Sequence, residues 1–265
     1  MSEPASGTAA RWALDYVRAT SLEQKLTAPP DLLDFEPSQT PLRVDAPGRP
    51  AELRVVARAK KTRGLSGEEG RARAMHTFFH HELQAAELMA WALLAFPETP
   101  TAFRQGLVRI AGDEIRHMRI YREQVERLGF AIGAFDVRDW FWERVPSAQS
   151  PAAFLAVMGL GLESANLEHA ATYAAKFREV GDAAGARAQE LVGLEEIAHV
   201  RFGVSWFERF AGRLDFETWR RALPPPLTPL LMRGAQLARQ ARARAGQPEH
   251  FLNELEAWRP DTPGC

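Results

Sequence analysis

Cysteine is almost absent from this sequence. The single cysteine is Cys265, the last of 265 residues. One thiol cannot form an internal disulfide, a cysteine-based zinc site or an iron–sulfur cluster. Any metal ion bound within the chain must therefore be held by nitrogen and oxygen ligands.

Long apolar runs and an excess of one charge are also missing. The longest apolar stretches, LMAWALLAF and FLAVMGLGL, reach about half of the roughly 18 residues that a membrane span needs. The 33 Lys and Arg residues against 34 Asp and Glu give a net charge of −1, so no global field attracts nucleic acid or an anionic membrane. The N-terminal sequence lacks the basic start and apolar stretch of a signal peptide, so we expect a cytoplasmic protein that does not bind membranes.

The pattern that is present is helical. Few windows alternate apolar and polar residues, and 46% apolar residues suffice for a sizeable core, so the predicted class is all-α. Four long helices are predicted between residues 66 and 212. A capping-box pattern, Ser66 with Glu69, starts the first, while Ser150 can cap the third and Asp182 the fourth. Long helices joined by short loops pack as an antiparallel bundle.

Further segments flank this bundle. A short amphipathic helix is predicted over residues 10–25, followed by a proline-rich extended arm. Helices are also predicted over residues 215–223 and 227–245, and the tail after Gly246 has only a weak helical signal. The predicted domains are an N-terminal helix and arm over 1–65, a bundle over 66–212 and a helical extension over 213–265.

Glutamate and histidine three residues apart occur twice within the predicted bundle. Glu114 precedes His117 and Glu196 precedes His199, and the two pairs are 82 residues apart. Residues at this spacing lie on one face of a helix, so both side chains can reach one ion. A single pair of this kind would be weak evidence, and its repetition is what makes it informative.

The helix before each pair carries a glutamate within an apolar stretch. Glu82 and Glu163 are 81 residues apart, nearly the spacing of the pairs, so one pattern is used twice. Such glutamates on two helices, with E-x-x-H on the other two, form the ligand set of a carboxylate-bridged two-metal site. Four carboxylates neutralise two ferrous ions, and imidazole nitrogen also suits iron. The alternative is a bundle that retains only buried ion pairs. The candidate ligands and catalytic residues are Glu82, Glu114, His117, Glu163, Glu196 and His199.

Acidic and aromatic neighbours supply further candidates. Asp113 and Glu195 each precede a ligand glutamate and either orient a ligand histidine or lie on a solvated face. Glu87 and Glu168 each follow a candidate ligand by five residues, as supporting acids or as extra ligands. Tyr121 lies one turn beyond the first histidine, as a redox or proton-relay group or as a core side chain.

These motifs resemble the ferritin-like superfamily. HHELQAAELM, EIRHM and LEEIAHVRFG are similar to a bacterial ferritin-like family of unknown function. HHELQAAELMAWALLAFP and LGLESANLEHA are also similar to the non-haem diiron tRNA hydroxylases that act on an isopentenyl-modified adenosine. The resemblance covers about residues 45–210. It implies a ferritin-like antiparallel four-helix bundle in which the six candidates are the ligands.

The expected function is that of a diiron enzyme that uses O2 to oxidise or hydroxylate an organic substrate. A modified tRNA base is one candidate substrate, manganese can replace iron, and electrons must come from a separate donor. A homo-oligomer is possible. The alternatives are a ferroxidase or iron-storage subunit and a di-manganese protein. A segment without acids that carries Arg233, Arg239, Arg242 and Arg244 is either a phosphate or RNA contact or a solvated helix end.

Overall fold

The computed structural model describes residues 3–35, 40–59 and 64–260. Over these ranges the chain is an all-α helical bundle, with isolated β-bridges in place of a sheet. None of the helices in the described ranges combines the length and the hydropathy that a bilayer span requires. The helices are α1 Ala9–Arg18, α2 Leu22–Lys25, α3 Glu68–Ala95, α4 Thr101–Arg127, α5 Pro151–Val157, α6 Ser164–Glu179, α7 Ala183–Ala211, α8 Phe216–Ala222, α9 Arg239–Arg244 and α10 Glu249–Ala257.

The starts of the long helices test the predicted caps. Ser150 and Asp182 each accept a hydrogen bond from a backbone amide three residues on, at 3.1 and 2.9 Å, which confirms both. The predicted capping box is wrong. The N-cap of α3 is Gly67, which has no side-chain oxygen, and Ser66 precedes it. The N-cap therefore lies one residue later than predicted, and the helix begins at Glu68.

The helix predicted over residues 10–25 is divided into α1 and α2. Ala19, Thr20 and Ser21 separate them, and Ser21 caps α2 by accepting from the amide of Gln24 at 3.4 Å. The apolar period continues through this break, which is why the pattern suggested one helix.

The prediction of one helix over residues 227–245 is wrong. Only a 3-10 turn, Pro229–Met232, and the short α9 form there. The reason is a tertiary contact: Glu168 accepts hydrogen bonds from the backbone amides of Gly234 and Ala238, at 3.0 and 2.9 Å, so the chain loops around its carboxylate. The tail after Gly246, where the signal was weak, contains α10.

The chain divides into two compact units, and the first comprises Met1–Pro146 and Ala175–Ala188. Within it α3 and α4 pack as neighbours, and α1 lies against α3. Most of α3 is buried, including the large side chains of Phe79 and Trp91, because apolar residues occupy all of its faces.

The second unit comprises Ser147–Ala174 and Gln189–Cys265. In it α8 packs against α5, and the indole of Trp219 donates to the carbonyl of Ala156 at 3.0 Å. The ring of Trp219 lies 5.3 Å from that of Phe251 on α10. Between α5 and α6 the helix widens into a π-helical segment, Met158–Glu163.

Buried ion pairs hold the N-terminal arm, by which we mean α2 and the chain that follows it. Lys25 is fully buried, and its Nζ lies 2.7 Å from Oε1 of Glu87 on α3. Arg49 binds the same oxygen and also pairs with Asp139 at 3.0 Å. Burial lowers the pKa of Lys25, and the nearby Glu87 carboxylate opposes that shift. The arm therefore supplies the cations that Glu87 requires.

We predict that Lys25→Met lowers the free energy of unfolding by about 3 kcal/mol, because it removes a charged partner from a buried carboxylate. Arg18→Met is the matched control, since Arg18 pairs with Glu3 at an exposed position. We expect that control to change stability by less than about 1 kcal/mol. Urea denaturation measures both variants, and equal effects would contradict this account of the arm.

Candidate metal centre

The first half of the predicted site lies on α3 and α4. Glu82, Glu114 and His117 are all at most 3% exposed. Nδ1 of His117 lies 3.1 Å from Oε2 of Glu114. Carboxylates buried this deeply require positive partners, because an unpaired charge in an apolar interior is very costly.

The second half repeats this geometry. Glu163 is the last residue of the π-helical segment, and Glu196 and His199 lie on α7. All three are at most 4% exposed. Nδ1 of His199 lies 3.1 Å from Oε2 of Glu196, the same separation as in the first half. The sequence repeat is therefore also a repeat of local structure.

The predicted ligands form two groups of four. In each group one ligand atom per residue lies within 4.8 Å of all the others. Both groups contain Glu114 and Glu196. The groups are Glu82, Glu114, His117 and Glu196, and Glu114, Glu163, Glu196 and His199. These buried clusters of carboxylate oxygen and imidazole nitrogen could hold metal ions.

The spacing of the ligand atoms fits a transition metal. Nitrogen and oxygen ligands bind such ions at about 2.0–2.2 Å. Two ligands at right angles around one ion are then roughly 3.0 Å apart, close to the 3.1 Å in each Glu–His pair. A mixed set of carboxylates and imidazole suits Fe, Mn and Zn ions, whereas Mg and Ca favour oxygen alone.

Asn166 is a neighbour of the ligands that sequence reasoning missed. Its side-chain amide donates to Oε1 of Glu196 at 3.2 Å, which fixes the orientation of that carboxylate. Asn166 lies three residues after Glu163, on the same helix face. The corresponding residue of the first half is Ala85, so the repeat gave no signal for it.

Glu87, a predicted supporting acid or extra ligand, lies outside both groups. The break between α3 and α4 is centred on Glu98, and Glu82 and Glu114 are equally distant from it. Glu87 is five residues nearer, which displaces it by roughly 7.5 Å along the helix. Its carboxylate is bound by the cations of the arm and by the indole of Trp142, at 2.7 Å.

Glu168 occupies the corresponding place in the second half and also lies outside both groups. Arg242 binds it through two hydrogen bonds of 2.7 Å, and both side chains are almost fully buried. A planar guanidinium matches a carboxylate in this paired geometry. Arg242 is therefore buried, and it cannot contribute to the phosphate or RNA contact considered for the arginine-rich segment.

The remaining predicted neighbours are placed as follows. Asp113 is partly exposed and accepts a hydrogen bond from Arg116 at 3.1 Å. Glu195 is partly buried. Tyr121 is buried, and its ring lies 5.5 Å from that of Phe78. Their proposed roles beside the ligands stay predictions.

Three further histidines of α3 have contacts of their own. Nε2 of His76 accepts from the amide of Gly133 at 2.8 Å, and burial lowers its pKa to about 4, so it is neutral. Nε2 of His80 lies 3.0 Å from Asp139. The ring of His81 stacks on the ring of Phe141. None of these three belongs to the ligand groups found among the described residues.

We predict that Glu82→Ala removes at least one bound metal ion, because it deletes a carboxylate of the first group. Glu87→Ala is the matched control on the same helix and should retain both ions, although it destabilises the protein by leaving the cations of the arm unbalanced. Metal analysis of folded protein measures both variants. Normal metal content in the Glu82 variant with loss in the Glu87 variant would reverse the assignment.

Comparison with known proteins identifies a family. The model of a family described as "Protein of unknown function (DUF455)" matches residues 6–253, which is most of the chain. No curated protein and no solved structure gives a significant match. The chain therefore belongs to the DUF455 family.

Proposed function

We propose that this protein is a carboxylate-bridged two-metal protein that uses iron and O2 to oxidise or hydroxylate an organic substrate. The observation that carries the proposal is the overlap of the two ligand groups, which share Glu114 and Glu196. Two ions that share two carboxylates must be neighbours. The ferritin-like resemblance of the motifs supports the same reading.

The shared and unshared ligands have different roles in this proposal. Glu114 and Glu196, which belong to both groups, would be ligands of both ions. Glu82 and His117 would be the remaining ligands of one ion, and Glu163 and His199 the remaining ligands of the other. Four carboxylates balance the four positive charges of two divalent ions, so the loaded site is neutral apart from added ligands. Four protein ligands would leave room on each ion for O2 or another small molecule.

The protein's contribution is to orient the ligands and keep them dry. When bound, a pair of iron ions supplies electrons for O2 reduction, which amino-acid side chains cannot do alone. The amide of Asn166 holds Glu196 in one orientation. Burial of all six ligands keeps bulk water away from them. The absence of a cysteine-based cluster requires reducing equivalents from a separate donor.

A ferroxidase or iron-storage subunit, or a di-manganese protein, would use the same ligands. The difference lies in what is consumed: an oxidase acts on an organic molecule, whereas a ferroxidase acts on iron itself. A modified tRNA base remains one candidate substrate of the oxidase through the resemblance to the tRNA hydroxylases. The proposal therefore needs tests of both metal count and turnover.

We predict two metal ions per chain, and a different loss for shared and unshared ligands. Glu114→Ala should abolish binding of both ions, whereas Glu163→Ala should leave one, because Glu114 belongs to both groups and Glu163 to one. Metal analysis after anaerobic loading with ferrous iron gives the counts. A count of one or none in folded wild-type protein, or equal losses in the two variants, would overturn the two-metal arrangement.

We also predict that protein loaded with ferrous iron consumes O2 stoichiometrically and then stops when neither organic substrate nor reductant is present. Oxygen uptake measured during repeated additions of ferrous iron distinguishes the alternatives. A ferroxidase would continue to oxidise each addition and accumulate a mineral. Retention of hundreds of iron atoms per assembly would replace the oxidase proposal with iron storage.

A further inference from the structure

The glutamate at the end of the π-helical segment is held in an unusual backbone. The segment Met158–Glu163 replaces regular α-helical turns and ends on Glu163. A π turn, closed by a hydrogen bond between residues five apart, contains one more residue than an α turn and is rare in proteins. One residue corresponds to about 100° around an α-helix, so reversion to α geometry would turn Glu163 away from its direction.

A chain of buried hydrogen bonds reaches this segment from the C-terminal extension. The hydroxyl of Ser164, the residue after the ligand, donates to the carbonyl of Gly159 at 3.0 Å. The side-chain amide of Gln247 donates to that hydroxyl at 2.8 Å. Gln247 in turn accepts from the guanidinium of Arg242 at 3.3 Å. Ser164, Arg242 and Gln247 are each at most 2% exposed.

Close packing fixes the same segment from two sides. A Cβ atom at Gly161 would collide with Sδ of Met232, in the 3-10 turn of the extension. A Cβ atom at Gly159 would lie 2.7 Å from Cα of Gly203 on α7. Glycine is therefore required at position 159 by the backbone of α7, whereas at Gly161 the neighbour is the flexible end of the Met232 side chain. The segment cannot rotate without displacing these contacts.

The contact between the C-terminal extension and the π-helical segment is polar. This indicates that the extension positions the segment and does not only shield it from solvent. A buried charged pair such as Glu168 with Arg242 is often no more stabilising than apolar side chains of similar volume. Apolar residues of the extension would cover α5 and α6 equally well. Hydrogen bonds have direction, and this chain ends on the residue next to Glu163.

We infer that the C-terminal extension positions a metal ligand: Gln247, acting through Ser164, holds the π-helical segment so that Glu163 points into its ligand group. The inference rests on the proposed metal centre. Gln247 is a positioning residue, because it contacts Ser164 and not the ligand. Its loss should weaken the group that contains Glu163 and spare the group that contains Glu82.

Variants of the hydrogen-bond chain provide the test. Gln247→Leu removes the donor to Ser164, Ser164→Ala removes the hydroxyl, and the double variant removes both. Gln240→Leu is the matched control, because Gln240 is an exposed residue of α9 in the same extension. The full chain is titrated with Mn²⁺, and the electron paramagnetic resonance signal measures the concentration of free ion at each step. The resulting binding curve gives the affinities of both sites.

We expect wild-type protein and Gln240→Leu to bind two ions alike. Gln247→Leu and Ser164→Ala should each weaken one ion about tenfold or more, the range seen when residues behind a ligand are removed. The other ion should keep its affinity. The double variant should match the single variants, because residues acting through one chain are not additive. Hydrogen exchange of residues 158–164 should rise in both single variants and not in the control.

Three outcomes would overturn the inference. Normal affinity for both ions in a less stable Gln247→Leu protein would show a purely structural role, and Ser164→Ala gives the same test if the larger substitution prevents folding. Additive losses in the double variant would separate Gln247 from Ser164. If wild-type protein binds no Mn²⁺, the proposed function fails, and unchanged hydrogen exchange at residues 158–164 would independently refute the positioning role.

Discussion

Neutralisation of buried carboxylates is the constraint on which this structure depends. Among the described residues the buried glutamates are those of the sequence repeat: Glu82, Glu87, Glu114, Glu163, Glu168 and Glu196. A buried carboxylate needs a positive partner, a protonated form or a metal. Lys25 and Arg49 form ion pairs with Glu87, and Arg242 forms one with Glu168. The other four lie with two histidines in groups that could hold metal ions.

The segments outside the long helices gain a common role from this constraint. The N-terminal arm brings cations to an acid on α3, and the C-terminal extension brings one to the corresponding acid on α6. Each of these acids follows a proposed metal ligand by five residues. The arm and the extension are thus tied to the helices that carry the ligands, and the extension also supports the π-helical segment that ends at Glu163.

The sequence predicted the parts of the molecule that depend on local pattern. The all-α class, the caps at Ser150 and Asp182, and the repeated Glu–His pairs follow from short-range spacing. The partners of Glu87 and Glu168 were not predictable, because Lys25 and Arg242 lie 62 and 74 residues away and carry no motif. Long-range contacts of Glu168 also explain why the prediction of a helix over residues 227–245 is wrong. Its carboxylate accepts hydrogen bonds from backbone amides of that segment. The π-helical segment and the contacts of Asn166 and Gln247 likewise depend on packing.

In the proposed arrangement, four of the six buried glutamates bind two adjacent metal ions, while the other two bind the chain's own cations. Anomalous X-ray diffraction from crystals of the protein loaded with Mn²⁺ tests it most directly. We expect two neighbouring peaks, both in contact with Glu114 and Glu196, and none at Glu87 or Glu168. A single peak, or a peak beside Glu87 or Glu168, would contradict it.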